Sequence, residues 1–232
     1  MCWRRGSKGE AHRTICTAEP RPRTGARMAK KEKARASESG RKGPKIITRK
    51  PKPSDFGDVI EYYYRFYEEV KENPLFGIVL SHKRPNMSDE RKWFSELLGR
   101  TKRGATVALV AEVDGHAVGL CEVNAIGRPR SEVSHRGELG IAVSSDYRGM
   151  GVGTALLRSV LGKCRKKFEV VELSVFSKNK GAKKLYERFG FSTYATRPRS
   201  IKRGDAYLDE DLMRLEVLAP GGPKNPMRSD NG

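Results

Sequence analysis

The sequence predicts an α/β domain with a mixed, mostly antiparallel central sheet that is flanked by helices. β-branched runs with strand periodicity occupy much of residues 105–143, and segments with helical periodicity lie before and after them. A glycine-rich turn between a strand and a helix, followed by another strand, predicts one parallel strand-helix-strand unit. These three observations indicate one folded domain.

Charge is distributed unevenly along the 232 residues. Residues 1–52 contain 17 Lys or Arg against 4 Asp or Glu, so they carry +13 of the total net charge of +19. This region has little aliphatic content and cannot bury enough apolar surface to offset the entropy of ordering. We therefore expect a basic, disordered tail at 1–44, a folded domain at 45–217 and a loose C-terminal tail at 218–232.

The basic tail has two interpretations: a solvated chain, or electrostatic contact with nucleic acid or the ribosome. Residues 1–27 contain no continuous apolar run, which argues against a secretory signal or a membrane span and predicts a cytoplasmic protein. Met28 opens a lysine-rich segment, and we expect translation to begin there. The four cysteines include no Cys-x-x-Cys pair, so neither disulfides nor a metal site is implied.

The first elements of the domain are predicted as one strand and two helices. A short apolar run at 45–48 predicts the strand. Ser54 and Asp55 precede apolar residues that recur at helical spacing, and Asn73-Pro74 ends that helix. Ser88 begins the second helix.

The centre of the domain is predicted as three strands at 106–113, 116–123 and 136–143. Asp114-Gly115 separates the first two and is a strong signal for a two-residue hairpin. After a glycine-rich turn, the remaining pattern predicts two helices and three strands. Their expected order is a helix at 154–164, a buried strand at 170–176, a helix at 181–188 ended by Gly190, and strands at 191–197 and 207–217.

The glycine-rich turn, RGMGVGT at 148–154, can direct backbone N–H groups at an anion at a helix N-terminus. It lacks the Lys-Ser/Thr ending of a nucleotide-hydrolase loop, and its spacing departs from G-x-G-x-x-G, which disfavours ATP and dinucleotides. The glycines alone are also compatible with a tight turn of purely structural role. Asn179 and a helix with a Leu-Tyr pair follow the turn, and together these features form a compound pattern that is more specific than the glycines alone.

With these motifs the chain resembles the GNAT superfamily of N-acetyltransferases over roughly residues 45–217, most strongly in ELGIAVSSDYRGMGVGTALL and NKGAKKLYERFGF. HRGELGIAV and KRGDAYLDEDLMRL further resemble the branch that contains spermidine and ribosomal-protein N-terminal acetyltransferases. The resemblance implies a GNAT-like fold, acetyl-CoA as co-substrate and transfer of its acetyl group to an amine. It implies no metal and no membrane.

The resemblance also implies roles for individual residues. Asn179 would lie beside the pantetheine arm, in a gap where two strands splay apart. Tyr186 would point at the sulfur and protonate the leaving thiolate as general acid, although a tyrosine on an apolar helical stripe is also a common core residue. The pantetheine would contact Ile141, Ala142 and Val143. The pyrophosphate would be held by Arg148, Gly149, Met150, Gly151, Val152, Gly153 and Thr154. For Arg148, a surface salt bridge is the alternative.

An ammonium acceptor must lose a proton before it attacks, because its pKa is about 10.4 for lysine and about 8 for an α-amine. Glu138 and His135 are candidate bases, and their odd separation places them on opposite faces of a strand. We prefer Glu138, acting directly or through water, because it shares its face with Gly140 and Ala142. Glu122 is a weaker candidate for binding a cationic acceptor, and we expect it to face solvent.

The expected acceptor is a protein or peptide amine, with a polyamine or an amino acid as alternatives. Two other classes of protein stay open: a non-catalytic module that binds acyl-CoA, and a nucleic-acid or ribosome-associated protein in which the basic tail matters more than the pocket. The sequence does not predict an oligomeric state.

Overall fold

A computed structural model describes residues 43–127 and 131–217. Four sequence predictions concern residues outside these ranges: disorder of the basic tail, translation from Met28, contact of that tail with nucleic acid or the ribosome, and the loose C-terminal tail. Among the helices in the two described ranges, none is both long enough and apolar enough to cross a membrane.

The described residues form one seven-stranded sheet in the order β1-β2-β3-β4-β5-β7-β6. Neighbouring strands are antiparallel except for β4 and β5, which are parallel. This confirms the predicted mixed, mostly antiparallel α/β fold. The strands are β1 (Ile47–Arg49), β2 (Thr106–Val113), β3 (His116–Ala125), β4 (Arg136–Val143), β5 (Val170–Phe176), β6 (Ser192–Arg203) and β7 (Ala206–Glu216).

Helices cover both faces of the sheet and divide the core into two clusters. On one face α1 and α2 pack against β2 and β3, and on the other α3 packs against β2, β3 and β4. The stripe of α3 that the sequence predicts is buried throughout, from Leu156 to Cys164. The helices are α1 (Phe56–Glu72), α2 (Met87–Lys102), α3 (Val152–Cys164) and α4 (Lys180–Arg188).

Local turn signals are confirmed where the backbone requires a positive φ. Asp114 and Gly115 have φ values of 50° and 85°, as expected for a two-residue hairpin turn between β2 and β3. Gly190 has a φ of 90° just after α4, which is the left-handed conformation that terminates many helices.

Several element boundaries differ from the prediction by a few residues, and two of these differences have a clear physical cause. Helix α2 begins at Met87, because the Asn86 side chain accepts a hydrogen bond from the Asp89 amide and caps the helix before Ser88. Strand β6 continues to Arg203, well past its predicted end. It is an edge strand with an irregular register after Arg197, so the missing N–H of a proline is tolerated there.

Candidate functional site

Strands β4 and β5 pair over only three positions and then separate. Their register runs from Arg136 opposite Val170 to Glu138 opposite Glu172. Beyond this point a cleft of about 980 Å³ opens between the strands. Its walls are formed by residues 139–143 of β4, the end of β5, the first turn of α4, the glycine-rich turn and the segment that follows α1.

The glycine-rich turn forms one end of the cleft and leads directly into α3. Gly149 and Gly151 have φ values of 77° and 87°, so both positions favour glycine. The first helical hydrogen bond runs from the Ala155 amide to the Gly151 carbonyl, at 3.0 Å. The amides of residues 152–154 therefore have no partner within the helix and form a potential anion site at its N-terminus.

The predicted cofactor-binding residues line the cleft with two exceptions, Met150 and Val152. The Met150 residue is 37% exposed, and Val152 is 1% exposed because it packs into the core beneath the sheet. Neither side chain lines the cleft. The residues that line it are Ile141, Ala142, Val143, Arg148, Gly149, Gly151, Gly153, Thr154 and Asn179.

Arg148 lines the cleft and is also held by protein groups. Its guanidinium donates to both carboxylate oxygens of Glu69 on α1, and its Nε donates to the Val143 carbonyl at 3.1 Å. The guanidinium also lies 4.7 Å from the centre of the Phe76 ring. The salt bridge that sequence analysis gave as the alternative is thus present, and the role in binding pyrophosphate stays a prediction.

Asn179 caps α4 at the edge of the cleft. Its Oδ1 accepts a hydrogen bond from the Ala182 amide at 3.1 Å. Its side-chain amide lies against Gly77, where an added Cβ would collide with Nδ2. The contact between these two residues joins the segment after α1 to the start of α4, and sequence reasoning gave no role to Gly77.

Tyr186 lies on α4, lines the cleft and is only 7% exposed. Its ring packs edge to face against Phe191, with 5.8 Å between ring centres. Burial raises the pKa of the Tyr186 hydroxyl, and the nearby Cys121 thiol raises this pKa further. The phenol therefore keeps its proton at neutral pH, as a proton donor requires, while the ring also belongs to the core.

The two candidate bases lie in different surroundings. Glu138 is exposed on β4, and its Cα pairs with Asn124 of β3 and Glu172 of β5. It is not among the residues that line the cleft, whereas Gly140 and Ala142 further along β4 are. His135 precedes β4, and its ring Nδ1 lies 2.9 Å from the Glu132 carbonyl oxygen, which accepts a hydrogen bond.

Glu122 does not face solvent, and this prediction was wrong. Its residue is 2% exposed, because β3 is a central strand of a sheet that helices cover on both faces. Burial raises the pKa of the Glu122 carboxyl from 4.5 to about 7. One sequence signal would have predicted this burial. Glu122 lies in the apolar run HAVGLCEV, and that run has a predicted strand before it and another after it.

The basic side chains at the cleft were also not predicted from the sequence. Lys178, Lys180 and Arg188 line it from the start and end of α4. They add positive charge to a cleft that already contains Arg148 and a helix N-terminus. Such an environment favours a ligand with several phosphate charges.

Comparisons with known proteins agree with this architecture. A family model described as "Acetyltransferase (GNAT) family" matches residues 62–191, which include β2 to β5, the glycine-rich turn and Tyr186. A phosphinothricin acetyltransferase from Sinorhizobium meliloti, solved with AcCoA, superposes with a TM-score of 0.65 at 20% identity, covering 80% of this chain and 96% of that one. This structural likeness concerns the fold.

We describe two of the relatives that match in sequence. L-amino acid N-acetyltransferase AaaT of Escherichia coli is 36% identical over 107 residues, which are 45% of this chain and 65% of that protein. N-alpha-acetyltransferase 50 of Danio rerio is 33% identical over 81 residues, which are 33% of this chain and 48% of that protein. The chain thus spans less than two thirds of the length of either relative.

Proposed function

The chain belongs to the acetyltransferase (GNAT) family, and from this premise we propose that it transfers an acetyl group from acetyl-CoA to a primary amine. The observation that carries the proposal is the cleft between β4 and β5, which brings the glycine-rich turn and a buried, protonated tyrosine to the same cavity. Acyl transfer from a thioester with a diphosphate tail needs both features.

In this proposal acetyl-CoA lies along the separated part of β4. The free amides at the start of α3 bind the pyrophosphate, assisted by Arg148 and by the lysines at the start of α4. Residues 141–143 contact the pantetheine arm, and their backbone groups are available because β5 has separated from β4. Asn179 borders the same arm.

The proposed reaction is direct attack of the amine on the thioester. The acceptor ammonium loses a proton to Glu138 through water, since Glu138 does not itself line the cleft, and the nitrogen lone pair then forms the C–N bond at the acetyl carbon. The C–S bond breaks as the tetrahedral intermediate collapses. Tyr186 donates its proton to the leaving sulfur, so that CoA departs as a thiol, and the second proton that the attacking nitrogen loses returns to the tyrosinate through solvent.

A protein or peptide amine is the acceptor that we propose first. The two relatives bear names that refer to L-amino acids and to N-alpha acetylation, so an α-amino group is the acceptor type that those names share. A free amino acid, or a polyamine as in the spermidine branch, is the alternative. Selection between them depends on the segment after α1, which forms one wall of the cleft through residues 75–78.

The test is acetyl-CoA turnover against a panel of peptides with varied N-termini, lysine peptides, free amino acids and polyamines. Replacement Tyr186→Phe should lower kcat by about 10²-fold or more, since it removes a general acid. Tyr207→Phe is the matched control, because Tyr207 is exposed on β7. CoA binding by calorimetry without turnover on any acceptor would instead indicate an acyl-CoA-binding module.

A further inference from the structure

Ser174 on β5 lines the cleft, and the reaction proposed above gives it no role. Its neighbours along the strand, Leu173 and Val175, belong to the core cluster on the α3 face, so the Ser174 side chain faces the opposite side of the sheet. Tyr186 belongs to the same cluster as those two neighbours and also lines the cleft. Ser174 and Tyr186 therefore border the cleft from opposite faces of the sheet.

Ser174 lies where β4 and β5 begin to separate. The last paired residues are Glu138 and Glu172, and Ser174 follows Glu172 by two positions, on the same face of the strand. Continued pairing would have placed Gly140 opposite Ser174, but the strands have separated and both residues line the cleft. Because glycine has no side chain, residue 140 leaves the space opposite Ser174 open to a ligand.

The Ser174 hydroxyl is bound by a buried carboxylate that does not itself line the cleft. Its Oγ donates to Oε1 of Glu210 on β7 at 3.1 Å, and Glu210 is 1% exposed. The second carboxylate oxygen, Oε2, accepts hydrogen bonds from the Ser200 hydroxyl and from the Arg197 guanidinium, the latter at 3.3 Å. Both oxygens of Glu210 thus have donors, and neighbouring strands hold the carboxylate in place.

The chemistry of the two groups fixes the direction of the hydrogen bond between Ser174 and Glu210. An ionised carboxylate only accepts hydrogen bonds, so the Ser174 hydroxyl must donate its one proton to Glu210. The lone pairs of Oγ then remain for other partners, and the bond to a negative group makes this oxygen a better acceptor. Ser174 therefore offers the cleft an acceptor and no donor. An amine or ammonium group, which has N–H donors, matches it.

We propose that Ser174 holds the acceptor nitrogen of the acetyl-transfer reaction: its Oγ accepts a hydrogen bond from one N–H of the amine, and Glu210 is the positioning residue that keeps the hydroxyl in this orientation. This inference rests on the function proposed above. With one N–H bound to Ser174, the nitrogen loses another proton through water to Glu138 and directs its lone pair at the thioester. The acceptor thus approaches from the α1 and α2 face of the sheet, opposite Tyr186.

The test compares steady-state kinetics of wild type, Ser174→Ala and Ser174→Thr, using acetyl-CoA and the best amine of the panel. Ser174→Ala removes the accepting oxygen, so KM for the amine should rise about tenfold or more, the value of one hydrogen bond to a charged group. The Kd for CoA, measured by calorimetry, should not change. Ser174→Thr keeps the hydroxyl on a residue that strands accommodate, so its KM should stay close to that of wild type.

Ser177→Ala is the matched control. The Ser177 hydroxyl also donates to a buried carboxylate of β7, Asp211, at 2.6 Å, but Ser177 does not line the cleft. Ser174→Ala and Ser177→Ala therefore lose equivalent hydrogen bonds within the sheet, and only Ser174→Ala loses an acceptor that faces the amine. We expect Ser177→Ala to keep the wild-type KM for the amine.

Replacement of Glu210 tests the direction of the hydrogen bond. In Glu210→Gln the side-chain oxygen stays with Arg197, which only donates, so the amide NH₂ turns toward Ser174 and donates to Oγ. The hydroxyl proton then points into the cleft, where it opposes the N–H of the amine. Glu210→Gln should therefore raise KM for the amine as Ser174→Ala does, and the double variant should be no worse than Ser174→Ala alone.

Three outcomes would contradict these expectations. Equal KM values for the amine in Ser174→Ala and Ser177→Ala would overturn the inference and leave the proposed function intact. An increase in KM on Glu210→Gln that is the same with and without the Ser174 hydroxyl would overturn the positioning role of Glu210. Wild type that binds CoA but acetylates no amine would overturn the proposed function and, with it, this inference.

Discussion

The guanidinium of Arg148 binds both carboxylate oxygens of Glu69 and so ties the glycine-rich turn to α1. If the same guanidinium binds pyrophosphate, Arg148→Gln should raise the Kd for CoA by about tenfold, the value of one charge-assisted hydrogen bond. Glu69→Gln should leave that affinity unchanged or improve it, because it removes the competing carboxylate. Calorimetric titration with CoA measures both; equal Kd values for wild type and Arg148→Gln would restrict Arg148 to the salt bridge.

An alanine at Gly77 should displace the Asn179 side chain. An added Cβ would collide with the Asn179 amide, so Gly77→Ala should lower the free energy of unfolding by about 1–3 kcal/mol and weaken CoA binding. Gly162→Ala is the matched control, because its Cβ would meet no atom within 4 Å on the exposed side of α3. That control should stabilise the helix by about 0.5–1 kcal/mol. Urea unfolding of the two variants gives the comparison, and similar effects would contradict the proposed contact.

Stability should depend on pH through Glu122. Its pKa is about 7 in the folded chain against an ordinary value of 4.5, so between these values the folded state holds a proton that the unfolded state has lost. The free energy of unfolding therefore falls as pH rises from about 4.5 to 7, by on the order of 3 kcal/mol for this group. Below 4.5 both states are protonated, and the contribution disappears.

The Glu122→Gln variant lacks this contribution, so it should gain stability relative to wild type as pH increases and keep a constant advantage above pH 7. Urea unfolding at pH 5 and pH 8 measures the difference for both proteins. A stability difference that is the same at the two pH values would mean that Glu122 is not the group that titrates.

Arg203 connects the β6–β7 hairpin to the wall of the cleft. Its guanidinium donates to the carbonyls of Pro74, Phe76 and Ile78, at 2.6, 3.0 and 2.6 Å. Arg203→Met should therefore increase amide hydrogen exchange in residues 74–78 and raise KM for the acceptor more than it lowers kcat. Lys202→Met, a change at the neighbouring exposed lysine, is the control. Unchanged exchange in Arg203→Met would show that the segment is held by other contacts.

Elements with local signals were predictable from sequence. The Asp114-Gly115 turn and the apolar stripe of α3 depend on a few neighbouring residues, and both agree with the structure. The mixed, mostly antiparallel sheet follows from these elements and from the single parallel unit at the glycine-rich turn, whereas the position of β7 between β5 and β6 was not predicted. The alternation of side-chain directions along β4 also predicted that Glu138, Gly140 and Ala142 lie on the same face of the sheet.

The rest depends on contacts between distant segments. Glu122 was expected at the surface, because alternation gives the face of a side chain but not the helix that covers it. Gly77 has no room for a Cβ because it contacts Asn179, about a hundred residues later in the chain. The residues around Gly77 in the sequence do not predict this contact. The length of β6 is set by its pairing with β7 rather than by its own composition, which includes a proline.

The short pairing between β4 and β5 divides the sheet into two half-sheets. One contains β1 to β4, the other contains β5, β7 and β6, and they pair with each other at only three positions. A ligand bound in the cleft contacts both half-sheets and so connects them. The core cluster on the α3 face already joins the two halves, and a bound ligand would add to that connection. Saturating CoA, at 100 times its Kd, would add about 2.7 kcal/mol to the free energy of unfolding.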